Sequence, residues 1–272
     1  EGISPDANFP VIYAEKGILH FSAAFPVSEA PFLALSAGNA VNMVCDHASA
    51  VLTPDSVKRL KSYRNDFPGT EFSFDENTSI LTVRGKSAHG STPEAGANAL
   101  GAMLKFFADF HPDCRKAYDL LFADVLGLRG ISDETGNLTM SPDVAKFENG
   151  ILTITTDIRF PATHKKEEIT GALTRAGVNF SVVHEQAPLY NDPNGRLIST
   201  LMRVYNKATG KNEKAIAIGG GTYARALKCG CGFGPELEDE EATIHQPNEY
   251  ITFDRIRMMS EIYYDAIREL TR

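Results

Sequence analysis

The chain has 272 residues, 43% of them hydrophobic, and a formal net charge of −8. A sizeable core is therefore expected, and an acidic surface argues against nucleic acid, whose phosphates it would repel. There is no apolar run long enough to span a bilayer and no basic segment followed by an apolar one of the kind that marks a signal peptide.

In chain order, residues 17–27 alternate Ile18, Leu19, Phe21, Ala23 and Phe25 and predict a strand. Residues 32–52 hold at least one more. Thr53-Pro54 is a helix start, with Thr as N-cap and Pro in the first turn, for a helix reaching about Asn65 before Phe67-Pro68-Gly69 stops it. Residues 71–74 and 80–85 predict a hairpin around Asp75-Glu76-Asn77. Thr92-Pro93-Glu94 predicts the start of a second helix, whose Leu100, Met103, Leu104 and Phe107 form a core-facing stripe.

A third helix is expected over 118–126. Residues 146–148 and 151–159 predict a hairpin closed by Asn149-Gly150. Residues 165–175 are helical and 180–184 extended. Asn191-Asp192-Pro193-Asn194-Gly195 is a breaker cluster suited to a domain crossing. A helix over 197–209 follows, then a strand over 215–218, a Gly-rich turn leading into another helical stretch, and a final helix with Ile256, Met259, Tyr263, Ala266, Ile267 and Leu270 on one face. Strands mixed with well-marked helices give the class α/β or α+β. The four cysteines (Cys45, Cys114, Cys229, Cys231) are too few for a disulfide framework. Cys229-Gly230-Cys231 could be half a metal site, but such sites need a second Cys or His pair, and buried or partly buried free thiols in a cytoplasmic setting are expected.

Five places could carry chemistry. His89, in Lys86-Ser87-Ala88-His89-Gly90-Ser91, follows a strand and precedes a capped helix, with small neighbours that leave the ring accessible. Against that stands the commoner fate of a lone histidine, a structural one. Gly219-Gly220-Gly221-Thr222-Tyr223-Ala224-Arg225 offers successive backbone N–H groups to an anion, either phosphate or carboxylate, although the spacing fits neither nucleotide-loop fingerprint. His245, after the acidic run 236–241, is either a solvated loop residue or a zinc ligand. Asp6, after Pro5, suits a turn. Arg159 is either one partner of a surface ion pair or a bidentate grip on a carboxylate.

These segments together resemble the aminoacylase/carnosinase-type metallopeptidases, in their dipeptidase V branch. The stretch from Gly2 to Gly17 is similar to that family's start-of-lid segment, and Ser87-Ala88-His89-Gly90-Ser91-Thr92-Pro93-Glu94 to its lid motif. Asn42-Met43-Val44, Asp157-Ile158-Arg159-Phe160-Pro161, Gly220-Gly221-Thr222-Tyr223-Ala224-Arg225 and His245-Gln246-Pro247-Asn248-Glu249 follow in family order, nearly end to end.

The resemblance implies a two-layer α/β lid over residues 16–188, inserted into a catalytic domain represented here by 1–15 and 189–272. It implies two zinc ions, or cobalt or manganese, with Asp6 and His245 as terminal ligands to one each. His89, with Asn42 as a weaker candidate, would stabilise the oxyanion. Arg159 would hold the C-terminal carboxylate of a dipeptide, helped by Gly220, Gly221 and Thr222, with Arg225 either helping or structural. The family's remaining ligands and catalytic Glu, which precede Asp6, are absent from this sequence. The expectation is therefore a portion of a dipeptidase, inactive alone, that associates with the missing part or with a second copy. A non-catalytic carboxylate-binding lid and an acylamino-acid deacylase are the competing expectations.

Overall fold

Strand Gly17–Pro26 buries Leu19, Phe21, Ala23 and Phe25 and leaves His20, Ser22 and Ala24 half-exposed. This period of two belongs to a sheet with one face packed against its core. The computed structural model describes residues 1–237 and 248–272 and holds two units. The larger comprises Gly17–Asp133 and Asn137–Gln186; the smaller comprises Glu1–Lys16, Glu134–Gly136 and Ala187–Arg272. Among the described residues, no helix is long and apolar enough to cross a membrane.

The larger unit is a mixed α/β structure built on an eight-stranded sheet, antiparallel throughout. Its spatial order is Asn179–Gln186, Gly17–Pro26, Ile151–Phe160, Thr139–Glu148, Phe32–Ala37, His47–Leu52, Ile80–Arg84 and Glu71–Asp75. Helix Ala99–Ala108 buries every residue but Lys105 and lies at the centre of the core. Phe107 meets Phe32 edge-on at 4.8 Å, and Phe106 meets Tyr63 in the same way at 4.9 Å. Helices Pro112–Leu121 and Lys166–Arg175 add Cys114, Ala117, Leu121, Ile169 and Leu173 to the same cluster.

Local signals explain most boundaries. Thr53 caps its helix through Ser56 N–H, although the helix ends at Leu60, short of Asn65. Asn149 and Gly150 both take positive φ (52° and 77°), the two-residue turn that matches strand twist. The helix expected from Thr92 is divided. A 3-10 turn covers Pro93–Ala95, Gly96 is extended, and the helix proper starts at Ala99 under an Asn98 cap that accepts from Gly101 N–H at 2.9 Å. The third helix is Pro112–Leu121, with Pro in its first turn, rather than 118–126. Residues 32–52 form two strands, and the strand before Asn149 runs ten residues, Thr139–Glu148, where only its end was legible.

In the smaller unit, strands Gly2–Ser4, Gly230–Gly232, Ile12–Glu15, Leu189–Tyr190 and Ile216–Ile218 form one sheet, flanked in sequence by helices Arg196–Thr209 and Phe253–Leu270. Phe9 joins the layers. Its ring stacks on Tyr205 at 5.0 Å and meets Phe233 edge-on at 5.0 Å, while the Tyr263 hydroxyl donates to Phe233 O at 2.7 Å. Phe9 is 2% exposed, and burying such a ring contributes about 1.5–3 kcal/mol. Cys45, Cys114 and Cys231 are buried free thiols and Cys229 is half-buried. Burial pushes the Cys231 thiol up to about 12 and that of Cys45 up to about 11.

Candidate active site

In the larger unit the site is set by strand register. Asp157 and Arg159 stand two residues apart on Ile151–Phe160 and so share a face, the one opposite Ile154 and Ile158, which belong to the core. Both are buried, Asp157 completely and Arg159 to within 4%. The surface ion pair weighed for Arg159 is thus replaced by a buried one. Arg159 Nε donates to Asp157 Oδ1 at 2.8 Å and to Oδ2 at 3.1 Å, and Nη2 donates to Oδ2 at 2.8 Å.

Register also brings up three residues that sequence reasoning passed over. His20 lies directly opposite Asp157 and Ser141 lies opposite it on the other side, while His184 on the edge strand pairs with His20. His20 Nε2 is 3.2 Å from Asp157 Oδ1, and its ring centroid is 5.2 Å from that of His184. Burial by itself would raise the Asp157 carboxyl. The adjacent His20 ring and the hydrogen bonds and charge of Arg159 outweigh it and hold the group below its usual range.

Asp143, beside Ser141, behaves in the opposite way. Burial pushes its carboxyl up to about 9, and the Asp157 charge adds to this against opposing effects of Ser141 and Arg159. Ser141 Oγ donates to Asp143 Oδ1 at 2.5 Å, while Asp143 Oδ2 has no hydrogen-bond partner. Asp143 is therefore an uncharged acid at neutral pH.

Residues 42–44 and 88–90 clasp one another in the same unit. Gly90 N–H donates to Asn42 O at 2.7 Å, Val44 N–H donates to Ala88 O at 2.9 Å, and Met43 bridges to His89. His89 and Asn42 are exposed. Ser91 N–H donates to His89 Nδ1 at 3.2 Å, and Ser91 Oγ is 2.7 Å from the same nitrogen. An Nδ1 that accepts from an amide leaves the proton of a neutral ring on Nε2, which makes Nε2 a donor. A Cβ on Gly90 would fall 2.3 Å from Asp157 Oδ2. The structure thus brings Asn42, His89 and Arg159 into one neighbourhood, with Asp157 between them.

In the smaller unit the Gly-rich turn does hold a carboxylate, the chain's own. Glu15, fully buried, accepts from Thr222 N–H at 3.0 Å, from the Thr222 hydroxyl, and from Arg225 Nε at 2.5 Å. Arg225 also donates to Ala187 O at 2.8 Å, Lys16 O at 2.7 Å and Gly220 O at 3.0 Å. The donors expected to meet a substrate carboxylate on Thr222 and Arg225 are taken up inside the unit. The missed signal was Glu15 itself, a lone acid in an otherwise apolar strand, which a buried arginine is well suited to balance.

Asp6 is exposed in the bend between strands Gly2–Ser4 and Ala7–Asn8. His245 lies outside the described residues. Among those described, no group of three or more His, Cys, Asp or Glu side chains is placed to hold a metal ion. Asp6 alone falls short of the three or four ligands that zinc takes, so the described residues by themselves do not fit a metal centre.

A family model, "Peptidase family M20/M25/M40", matches residues 3–269. A Staphylococcus epidermidis protein named "Putative dipeptidase" is 31% identical over 303 residues, covering 99% of this chain and 63% of its own length. A similarly named Staphylococcus haemolyticus protein is 31% identical over 302 residues with the same coverages. The chain thus spans 63% of the length of these curated relatives. Among solved structures, the aminopeptidase PepT of Bacillus cereus superposes with a TM-score of 0.50 at 14% identity, covering 99% of this chain and 57% of that one, a likeness of fold.

Proposed function

The chain belongs to the M20/M25/M40 peptidase family, and from that premise we propose that it is the substrate-gripping portion of a zinc-dependent dipeptidase. The observation that carries this reading is the juxtaposition in the larger unit. His89, its Nδ1 occupied by Ser91 N–H, presents an Nε2 donor on a turn packed against the carboxylate that holds Arg159. A dipeptide asks for these two groups, a donor for the oxygen of the scissile carbonyl and a guanidinium for the C-terminal carboxylate.

In this reading the larger unit is the lid. His89 donates to the developing oxyanion, with Asn42 beside it. Arg159 binds the terminal carboxylate, and within the smaller unit the backbone N–H groups of Gly220 and Gly221 are donors suited to an anion. Thr222 and Arg225 keep that turn in shape through Glu15. Asp6 and His245 each end the ligand set of one metal ion, and the remaining ligands and the catalytic Glu come from outside these residues. Zinc held there together with those outside ligands would polarise the carbonyl and activate a water. The chain alone would bind rather than cleave, and would associate with the complementary part of the catalytic domain or with a second copy. Free thiols at all four cysteines support a reducing, cytoplasmic setting.

Hydrolysis by the full-length protein supplied with zinc tests the reading. Dipeptides should be cleaved faster than N-acetyl amino acids, and a chelator should abolish both activities. Faster cleavage of the acylated amino acid would make the protein a deacylase.

A further inference from the structure

We propose that Asp157 is a positioning residue that locks the Arg159 guanidinium and the His89 turn into one preset unit for the substrate's carboxylate and its scissile carbonyl. This deepens the function proposed above and rests on it.

The first support is the way Arg159 is held. Asp157 takes the Nε–Nη2 edge of the guanidinium through three contacts of 2.8–3.1 Å. A fork gripped on that edge cannot swivel. The clamp is itself held from behind, since His20 on the neighbouring strand stands 3.2 Å from Asp157 Oδ1. Arg159 therefore arrives at its ligand with its orientation already settled, which removes an ordering cost from binding.

The second support is independent of charge. Gly90 is not in the left-handed region, so no backbone constraint demands glycine there. Space does. A Cβ would stand 2.3 Å from Asp157 Oδ2 and 3.2 Å from Asn42 O. The turn carrying His89 is packed against the same carboxylate that orients Arg159, and the Gly90 N–H···O Asn42 bond of 2.7 Å ties residue 42 to it.

The third concerns what the pair is for. A buried ion pair contributes little net stability, because desolvation offsets the attraction. A role in holding geometry explains the pair better. Asp143, close enough to affect the cluster, is protonated and leaves Asp157 as the charge that Arg159 answers.

The test compares, in the full-length protein with zinc, KM and kcat for a dipeptide and for the same dipeptide bearing a C-terminal amide. Asp157→Asn should raise KM for the free acid about 10- to 100-fold, the worth of hydrogen bonds to a charged group, with a smaller change in kcat. KM for the amide, which has no carboxylate to grip, should move little. Gly90→Ala keeps every charge and displaces the contact. It should shrink the acid-over-amide preference in the same direction and lower kcat as well, and it serves if Asp157→Asn does not fold. His20→Gln, which retains a donor, should keep most of the preference. A folded Asp157→Asn or Gly90→Ala with the wild-type preference would overturn the proposal. Arg159→Met separates the two levels. If that variant keeps the preference, the assignment of Arg159 falls. If it loses the preference while Asp157→Asn keeps it, only the positioning role falls.

Discussion

Glu15 and Arg225, 210 positions apart in the chain, form an ion pair of 2.5 Å within the smaller unit, and four of the five N–H donors of Arg225 are used there. The strand that follows the Asp6 segment and the turn after Ile216–Ile218 are fastened by this single guanidinium.

Removing the guanidinium should be costly. Arg225→Ala leaves a fully buried carboxylate and the carbonyls of Lys16, Ala187 and Gly220 without that partner. Breaking a buried pair on one side typically costs about 3–5 kcal/mol. Chemical denaturation of the purified protein should show a loss of that size. A loss below about 1 kcal/mol, the range of surface pairs, would mean that the pair does not hold the turn.

Asp143 should make stability pH-dependent. Its carboxyl is raised from an ordinary 3.8 to about 9 in the fold. Above pH 4 the unfolded chain releases this proton while the folded chain keeps it until near pH 9, so stability falls as pH rises through that window. Asp143→Asn removes the proton and still accepts from Ser141. Its melting temperature should exceed that of wild type at pH 8, and the difference should vanish towards pH 4. A variant less stable than wild type at pH 8 would show that the ionised acid is needed.

His89→Ala in the full-length enzyme should lower kcat about 10²–10³-fold, the usual effect of losing one oxyanion donor. KM should change far less, since the interaction strengthens as charge develops on the oxygen. Near-normal kcat would remove His89 from the chemistry. Ser91→Ala keeps the backbone N–H that sets the tautomer and should have a small effect.

Phe9→Ala should destabilise the smaller unit by about 3–5 kcal/mol through the cavity left among Tyr205, Phe233 and Tyr263. Phe9 lies three residues after Asp6, so metal affinity of the full-length protein should fall with it. Unchanged affinity in the folded variant would mean that this anchor does not organise the Asp6 bend.

The sequence by itself determined the features that neighbouring residues decide. Thr53 capping its helix, Asn149-Gly150 closing its hairpin and the buried stripe of Leu100, Met103, Leu104 and Phe107 are local matters of dihedral preference and period, and each was legible. Where two local signals competed, as Thr92-Pro93 did with Gly96 and Asn98, the later cap won and the helix began at Ala99. The motif residues could be named in order, but their roles could not be sorted from sequence. Only the tertiary structure decided that Ser141, Asp157, His20 and His184 stand in one row, that Asp143 is a neutral acid beside it, and that Arg225 answers Glu15. The reason is physical. Register and burial arise from pairings across more than a hundred residues, and the charge state of an acid depends on which partners and how little water those pairings leave around it.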